Sequence, residues 1–254
     1  MTESTRPVRK PDPDEHMDGM GRRHVPTLNP NHVGCLSVVL TLSVSIVWDA
    51  PRVAPMKERL GILGGTFDPV HVGHIVAAVQ ARHTLALDRV LLMVAGDPWQ
   101  KQGAVVASAE DRVEMAVAAA DAIDGLEVST LEVERKGPSY TLDTLRALES
   151  PDRRIFLIVG SDVASTLETW HRADDLKELA TLAVLDRAGV AELSRITAVR
   201  WVEGWNVEWV PMPHIDISST ELRARMAAGS PIDGLVPQEV VRVIRQRRLY
   251  TAGQ

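Results

Sequence analysis

GGTFDPVHVGH, residues 64–74, is the stretch of this sequence that decides the fold. It follows a short apolar run, Leu60–Leu63, and leads into a segment of helical composition, Ile75–Thr84. This order places a glycine turn between a strand and the N-terminus of a helix. Such an arrangement can surround an anion with unpaired N–H groups and the positive end of a helix dipole. His71 and His74 fall on one side of the first helical turn, where both can donate to phosphate oxygens. The stretch therefore predicts a nucleotide-handling enzyme.

Apolar runs and helical periods alternate along the rest of the chain. The expected strands are Leu60–Leu63, Arg89–Ala95, Leu126–Leu131, Arg154–Val159, Leu182–Leu185 and Val207–Val210. The expected helices are His71–Thr84, one opened by Ser108 as N-cap, Tyr140–Leu148, Ser219–Ala228 and Pro237–Arg247. Their inward positions are Ile75, Val76, Ala78 and Val79 in the first helix, and Val113, Met115, Ala116 and Val117 in the second. Repeated βα units predict an α/β fold, a Rossmann-like doubly wound parallel sheet with a C-terminal helical part, and ligands at the carboxyl ends of its strands.

Composition narrows the class of protein. The 254 residues are 45% apolar and 24% charged, with a formal net charge of -6, so no general basic footprint for nucleic acid is expected. A nucleotide substrate needs only one locally basic pocket. The single cysteine, Cys35, excludes an intrachain disulfide framework and a cysteine zinc site, which fits a reducing cytoplasm.

Residues 1–55 differ in composition from the predicted domain at 56–254. Met1–His32 is rich in proline, charge and asparagine, which is typical of disorder, and Gly34–Trp48 is apolar but too short to span a bilayer as a helix. Three interpretations stay open: a non-native extension before a start at Met56, a weakly folded native extension, or an export signal. No membrane partner is expected.

A second anion site is predicted far along the chain, at Ile217-Ser218-Ser219-Thr220 with Arg223 one turn later. Hydroxyl groups and free N–H groups at a helix start can hold phosphate oxygens, and the arginine can fork onto a β- or γ-phosphate. The alternative is an ordinary serine N-cap with a surface arginine.

The run GTFDPxHxGH resembles the signature of the nucleotidylyltransferase superfamily, and ISSTxxR resembles the element that accompanies it in adenylyltransferases. The stretches 136–141, 158–162 and 167–172 between them look like those of bacterial nicotinate-nucleotide adenylyltransferases, and the resemblance covers about Arg59 to Tyr250. It implies adenylyl transfer from ATP to nicotinate mononucleotide, giving nicotinate adenine dinucleotide and pyrophosphate in NAD biosynthesis.

The resemblance also implies roles for individual residues. Catalytic roles fall on His71, His74, Lys101 and Arg223. ATP is expected at Gly64, Gly65, Thr66, Phe67, His71, His74, Gly160, Asp162, Ile217, Ser218, Ser219, Thr220 and Arg223. Nicotinate mononucleotide is expected at Lys101, Thr141, Asp162, Trp170, His171 and Arg187, with Trp170 stacking on the pyridine ring. Mg²⁺ is the expected cofactor, held by phosphate oxygens and water rather than by protein side chains.

One element departs from the family pattern. The stretch Asp97–Lys101 reads DPWQK where the family commonly has PPH followed by a cation, so only Lys101 keeps the expected charge. Rival interpretations are phosphopantetheine adenylyltransferase, which lacks the Trp170-His171 element, a cytidylyltransferase, and a catalytically inactive nucleotide-binding regulator. A homo-oligomer is compatible with the cluster Trp201, Trp205 and Trp209, whose i, i+4 spacing suits packing or a subunit contact.

Overall fold

A computed structural model describes residues 57–98, 105–135, 137–187 and 202–251. Within these ranges six strands form one sheet in the order β3-β2-β1-β4-β5-β6, and every neighbouring pair is parallel. The strands are β1 Glu58–Gly65, β2 Arg89–Val94, β3 Leu126–Ser129, β4 Arg153–Gly160, β5 Thr181–Arg187 and β6 Val207–Met212. This is the strand order of a doubly wound sheet, as the sequence predicted.

Helices connect the strands from β1 to β5 and follow β6 in the described part of the chain. They are α1 Val72–Thr84, α2 Ala109–Ala120, α3 Leu131–Glu134, α4 Thr141–Leu148, α5 Ser161–Ala164, α6 Ala173–Leu179, α7 Ser219–Ala227 and α8 Gln238–Arg247, with a 3₁₀ turn at Leu167–Thr169. The predicted C-terminal helical part corresponds to α7 and α8.

The strand order reverses between β1 and β4. The chain builds β1, β2 and β3 in one direction, then returns to lay β4 on the other side of β1, with Leu60 opposite Ile155 and Leu63 opposite Ile158. Loops leaving two adjacent strands in opposite directions open a crevice at their carboxyl ends. The glycine turn after β1 and the Gly160 turn after β4 both lie at this point.

Two apolar cores cover the two faces of the sheet. Leu63, Leu92 and Phe156 face the core shared with α1, α2, α7 and α8, whereas Leu60 and Ile62 face the core shared with α4 and α6. Alternation along β1 therefore supplies both layers from one strand. Trp205 and Trp209 lie partly buried against the second core, as the packing interpretation predicts, and Trp201 falls outside the described residues.

The predicted inward faces of the first two helices are partly wrong. Val79 is 38% exposed and Val117 is 48% exposed, while α1 buries Ala77, Ala78 and Ala81. Alanines let α1 lie close to the sheet, so the small side chains face inward and a larger one faces out. In α2, the charged residue Arg112 is unexpectedly buried and only 2% exposed. Its side chain points inward because backbone carbonyl groups there accept its hydrogen bonds.

Some elements differ from expectation in length or were not predicted. β3 ends at Ser129, and Leu131 begins the short helix α3 instead of ending the strand. The helices α5 and α6 and the intervening 3₁₀ turn were missed, since segments of three to seven residues give little periodicity to detect. Pro211 falls inside β6, which is an edge strand and so tolerates a missing N–H.

Candidate active site

The first predicted phosphate element is the loop between β1 and α1. Its chain bends sharply at Phe67, which has a left-handed φ of 53° and a fully buried ring. The bend directs the chain from the end of β1 to His71, which is the N-cap of α1. The loop therefore ends where the positive pole of a helix dipole begins, as the sequence predicted.

His71 and His74 stack on each other in the first turn of α1. Their ring centroids lie 3.8 Å apart at an interplanar angle of 29°, and the His71 N–H donates to His74 Nδ1 at 3.2 Å. Because Nδ1 accepts, a neutral His74 carries its proton on Nε2, the nitrogen that can donate to a phosphate. Gly73 lies close beside them: an added Cβ there would be 3.0 Å from His71 Nδ1, so the His71 ring would have to shift slightly.

The second predicted phosphate element lies directly against the first. Ser218 is the N-cap of α7, and its hydroxyl accepts from the Glu221 N–H, so the ordinary-cap interpretation holds for this one serine. Ser219 instead donates through Oγ to the Pro69 carbonyl at 2.9 Å. Arg223 is not a surface arginine: Nη1 donates to the Asp68 carbonyl oxygen at 2.7 Å and Nη2 to Thr220 Oγ1 at 3.3 Å. Ile217 packs partly buried against the first core.

Asp68 joins these elements, and the sequence analysis assigned it no role. Its carboxylate, 2% exposed, accepts from the N–H groups of Val106 at 2.8 Å and Ala107 at 3.1 Å, and from the Tyr250 hydroxyl at 2.7 Å. The same carboxylate lies 3.6 Å from Arg223 Nη1. Burial, together with the bond to Asp68, raises the pKa of Tyr250, so the phenol stays a donor. The position of Asp68 inside the GTFDPxHxGH motif is the sequence signal from which a role could have been predicted.

Arg112 was also missed and holds the carboxyl ends of two strands. Nη1 donates to the carbonyl oxygens of Thr66 at 2.9 Å and Ala95 at 2.6 Å, and Nη2 donates to that of Gly96 at 3.2 Å. Burial lowers the pKa of Arg112, yet a guanidinium stays charged at any working pH. The side chain thus fixes the phosphate loop against the segment that follows β2.

A cavity of about 230 Å³ opens beside the phosphate loop, between the ends of β1 and β4. Gly64, Gly65 and Thr66 line it at the loop. The other lining residues include the apolar side chains Ile62, Met93, Leu157 and Val163, and the polar or aromatic residues Glu132, Thr141, Thr144 and Trp170. The buried Trp170 Nε1–H has no hydrogen-bond partner among the described residues.

The remaining predicted acceptor residues are partly placed. Asp162 is exposed on α5, its carboxylate folded over Gly160, and the exposed His171 ring stacks on Tyr140 with centroids 4.4 Å apart. The Tyr140 ring was not predicted to take part. Lys101 lies outside the described residues. Arg187 ends β5, and its side chain is likewise outside the description.

Among the described residues, no helix is both long and apolar enough to cross a bilayer. Nor do they contain three histidine, cysteine, aspartate or glutamate side chains grouped closely enough to ligate a metal ion.

Comparison with known proteins identifies the family. The family model described as "Cytidylyltransferase-like" matches residues 62–225, which include both phosphate elements. The chain belongs to this family. Within it, the chain is 40% identical over 195 residues to a protein of Corynebacterium kroppenstedtii named "Probable nicotinate-nucleotide adenylyltransferase", covering 76% of this chain and 90% of that one. It is 41% identical over 209 residues to a protein of the same name from Herpetosiphon aurantiacus, covering 77% and 100%.

Solved structures of another protein share the fold. Nicotinic acid mononucleotide adenylyltransferase of Plasmodium falciparum, solved with APC and with NaAD, superposes at a TM-score of 0.61 in both cases. The sequence identities are 14% and 16%, and each match covers 76% of this chain and 97% of the other. At this identity the likeness concerns the fold alone.

Proposed function

We propose that this chain is a nicotinate-nucleotide adenylyltransferase, joining nicotinate mononucleotide to the AMP part of ATP and releasing pyrophosphate. The observation that carries the proposal is the junction of the two phosphate elements through Arg223 and Asp68, beside a cavity that presents an aromatic ring, Trp170. The names of the relatives that match over 90% or more of their length support the same activity.

The reaction asks the protein for positioning and charge rather than for a nucleophile. An oxygen of the acceptor phosphate forms a bond to the α-phosphorus of ATP, and the bond from that phosphorus to the bridging oxygen of pyrophosphate breaks. His74 Nε2–H and the Arg223 guanidinium would donate to phosphate oxygens as negative charge develops, and the start of α1 would add its dipole. The His71–His74 stack and the Arg223–Asp68 bond hold these donors before ATP arrives.

Mg²⁺ is proposed as the cofactor, entering with ATP. The elements around the first helix start supply N–H groups, imidazoles and a guanidinium, which suit phosphate oxygens rather than a cation. A donor set of this kind fits a magnesium ion held by the triphosphate and water, where it would neutralise charge on the β- and γ-phosphates.

The acceptor is proposed to occupy the cavity with its pyridine ring against Trp170. Backbone N–H groups near Thr141 and His171 would donate to the ring carboxylate. Asp162 would accept a hydrogen bond from a ribose hydroxyl, and Lys101 and Arg187 would bind the phosphate side of the acceptor. The amide of nicotinamide mononucleotide would bring its own N–H donors against those N–H groups, a mismatch worth roughly 1–3 kcal/mol per group. The reaction is proposed to take place in the cytoplasm, where both nucleotides are available, with no nucleic-acid or membrane partner.

A pyrophosphate-release assay tests the proposal. The enzyme would be supplied with ATP, Mg²⁺ and, in turn, nicotinate mononucleotide, nicotinamide mononucleotide and phosphopantetheine, with CTP replacing ATP in a parallel series. We expect turnover with ATP and nicotinate mononucleotide, at a kcat/KM at least ~10-fold above that for the amide. Turnover of phosphopantetheine or CTP instead would contradict it, and no turnover at all would favour an inactive nucleotide-binding regulator.

A further inference from the structure

Glu132 is the ionisable residue that faces the acceptor cavity among the described lining residues. It lies on α3, is 8% exposed, and lines the same cavity of about 230 Å³ as Trp170 and Thr141. Much of the remaining lining is apolar. A carboxylate in such surroundings loses hydration, so burial favours the neutral acid. The proposed function brings a second carboxylate, that of nicotinate, into this cavity.

The Glu132 carboxyl group is held in place from two sides. Thr144 Oγ1 on α4 donates to Glu132 Oε1 at 2.6 Å, and the Ser139 hydroxyl forms a further hydrogen bond to the side chain. Ser139 Oγ in turn accepts from the N–H groups of Gly96 at 3.0 Å and Asp97 at 3.3 Å. Gly96 packs so tightly on the Glu132 carbonyl oxygen that an added Cβ would collide with it. The carboxyl group is therefore a fixed part of the wall.

Burial, rather than the charges nearby, is the dominant influence on the pKa of Glu132. Burial raises the pKa of Glu132, while the hydrogen bonds from Thr144 and Ser139 and the charge of Arg135 act in the opposite direction. Other titratable or charged groups lie on the elements packed around Glu132, but none of them lines the cavity. Glu134 accepts a hydrogen bond from Thr130, and Arg135 pairs with Asp143 at 3.9 Å. The remaining two are Asp97 and His171, whose ring stacks on Tyr140.

We propose that Glu132 is a specificity-determining residue for the acceptor: its neutral form admits a ring carboxylate, and its anionic form excludes the carboxylate in favour of the amide. The inference rests on the proposed function. Two carboxylates confined in one poorly hydrated cavity repel each other strongly, so one must hold a proton. The neutral amide of nicotinamide escapes this repulsion and can donate to an ionised Glu132.

The preference for the acid over the amide therefore falls as pH rises through the titration of Glu132. Both acceptors carry the same pyridinium nitrogen, ribose and phosphate. The ratio of their kcat/KM values cancels the titration of the acceptor phosphate, of ATP, and of His71 and His74. The pH dependence that remains in the ratio reports how the cavity distinguishes a ring carboxylate from a ring amide.

The test measures this ratio from about pH 5.5 to about pH 9. For the wild type we expect a fall of about tenfold, which corresponds to a rise of one unit in the Glu132 pKa on nicotinate binding. Glu132→Gln should give a ratio that does not change with pH. Glu134→Gln, which removes an exposed carboxylate two residues away on the same helix, should leave the wild-type fall intact. A fall in Glu132→Gln equal to that of the wild type would overturn the inference.

A second variant keeps the test decisive if Glu132→Gln does not fold. Thr144→Val keeps the acid and the side-chain shape but removes a donor to the charged form, so the midpoint of the fall should move to higher pH. An unmoved midpoint would overturn the inference. Failure here is distinguishable from failure of the proposed function: a wild type that turns over neither acceptor contradicts the function, whereas turnover with a pH-independent ratio contradicts only the role of Glu132.

Discussion

Arg223 Nη1 donates to the main-chain carbonyl oxygen of Asp68 at 2.7 Å, across 155 residues of sequence. The bond joins the first turn of α7 to the loop before α1, and the Arg223 side chain is 18% exposed. The two halves of the predicted triphosphate site are thus assembled by the protein itself. Such preorganisation spares the enzyme the cost of moving charges into position during the reaction.

Arg223→Lys should lower kcat/KM for ATP by about 10- to 100-fold. A guanidinium reaches Asp68 and Thr220 at once, whereas an ammonium cannot span both, and a hydrogen bond to a charged group is worth about 1.5–3 kcal/mol. Arg225→Lys is the matched control, because Arg225 lies on the same helix and its side chain donates to the Pro231 carbonyl oxygen rather than to the loop before α1. Equal kinetics for the two variants would show that Arg223 has no special role.

His74→Ala should lower kcat by on the order of 10²-fold with little change in KM. Its Nε2–H is expected to donate to the phosphate where charge develops in the transition state. His83→Ala, which removes an exposed imidazole in the last turn of the same helix, should leave steady-state kinetics unchanged. If kcat of His74→Ala stays within a few-fold of wild type, the assignment is wrong.

Asp68→Asn should destabilise the fold by roughly 2–4 kcal/mol, measured by urea unfolding. An amide in this position turns at least one donor toward the N–H groups of Val106 and Ala107 or toward the Tyr250 hydroxyl, and it removes the charge near Arg223. Asp88→Asn changes an exposed aspartate that accepts from the Arg59 N–H, and a much smaller loss is expected there. Similar losses in both variants would contradict the role given to Asp68.

Trp170→Ala should lower kcat/KM for both acceptors by about tenfold or more, because stacking on an aromatic ring is worth about 1–3 kcal/mol. The ratio of the two kcat/KM values should not change, because stacking does not depend on the ring substituent. Trp170→Phe should recover most of the loss. A change confined to one acceptor would instead mean that the Trp170 Nε1–H reads the substituent.

Removal of residues 1–55, leaving a start at Met56, should change neither kcat nor the melting temperature appreciably. The first strand begins at Glu58, whose N–H donates to Asp152 and whose carboxylate pairs with Arg89 at 2.8 Å and Arg153 at 2.6 Å. All of these partners remain after truncation. A melting temperature lowered by many degrees would show that the removed segment supports the fold.

The sequence was sufficient for the six strands and for the doubly wound parallel sheet, because continuous apolar runs and a long glycine-histidine motif are local signals. It was insufficient where the decisive partner is distant. The inward turn of Arg112 depends on carbonyl groups of Thr66 and Ala95, and the role of Asp68 depends on Tyr250. Periodicity carries no information about such pairs, and it even assigned Val117 to the wrong face of α2.

The bond from Tyr250 to Asp68 spans 182 residues of sequence. A ribosome makes Asp68 long before Tyr250, so a nascent chain cannot pair this buried carboxylate with the phenol until residue 250 has been synthesised. Chains that stop before Tyr250 lack the hydroxyl group that donates to Asp68. The loop before α1 therefore gains the full set of hydrogen bonds to its buried carboxylate only after α8 has been made.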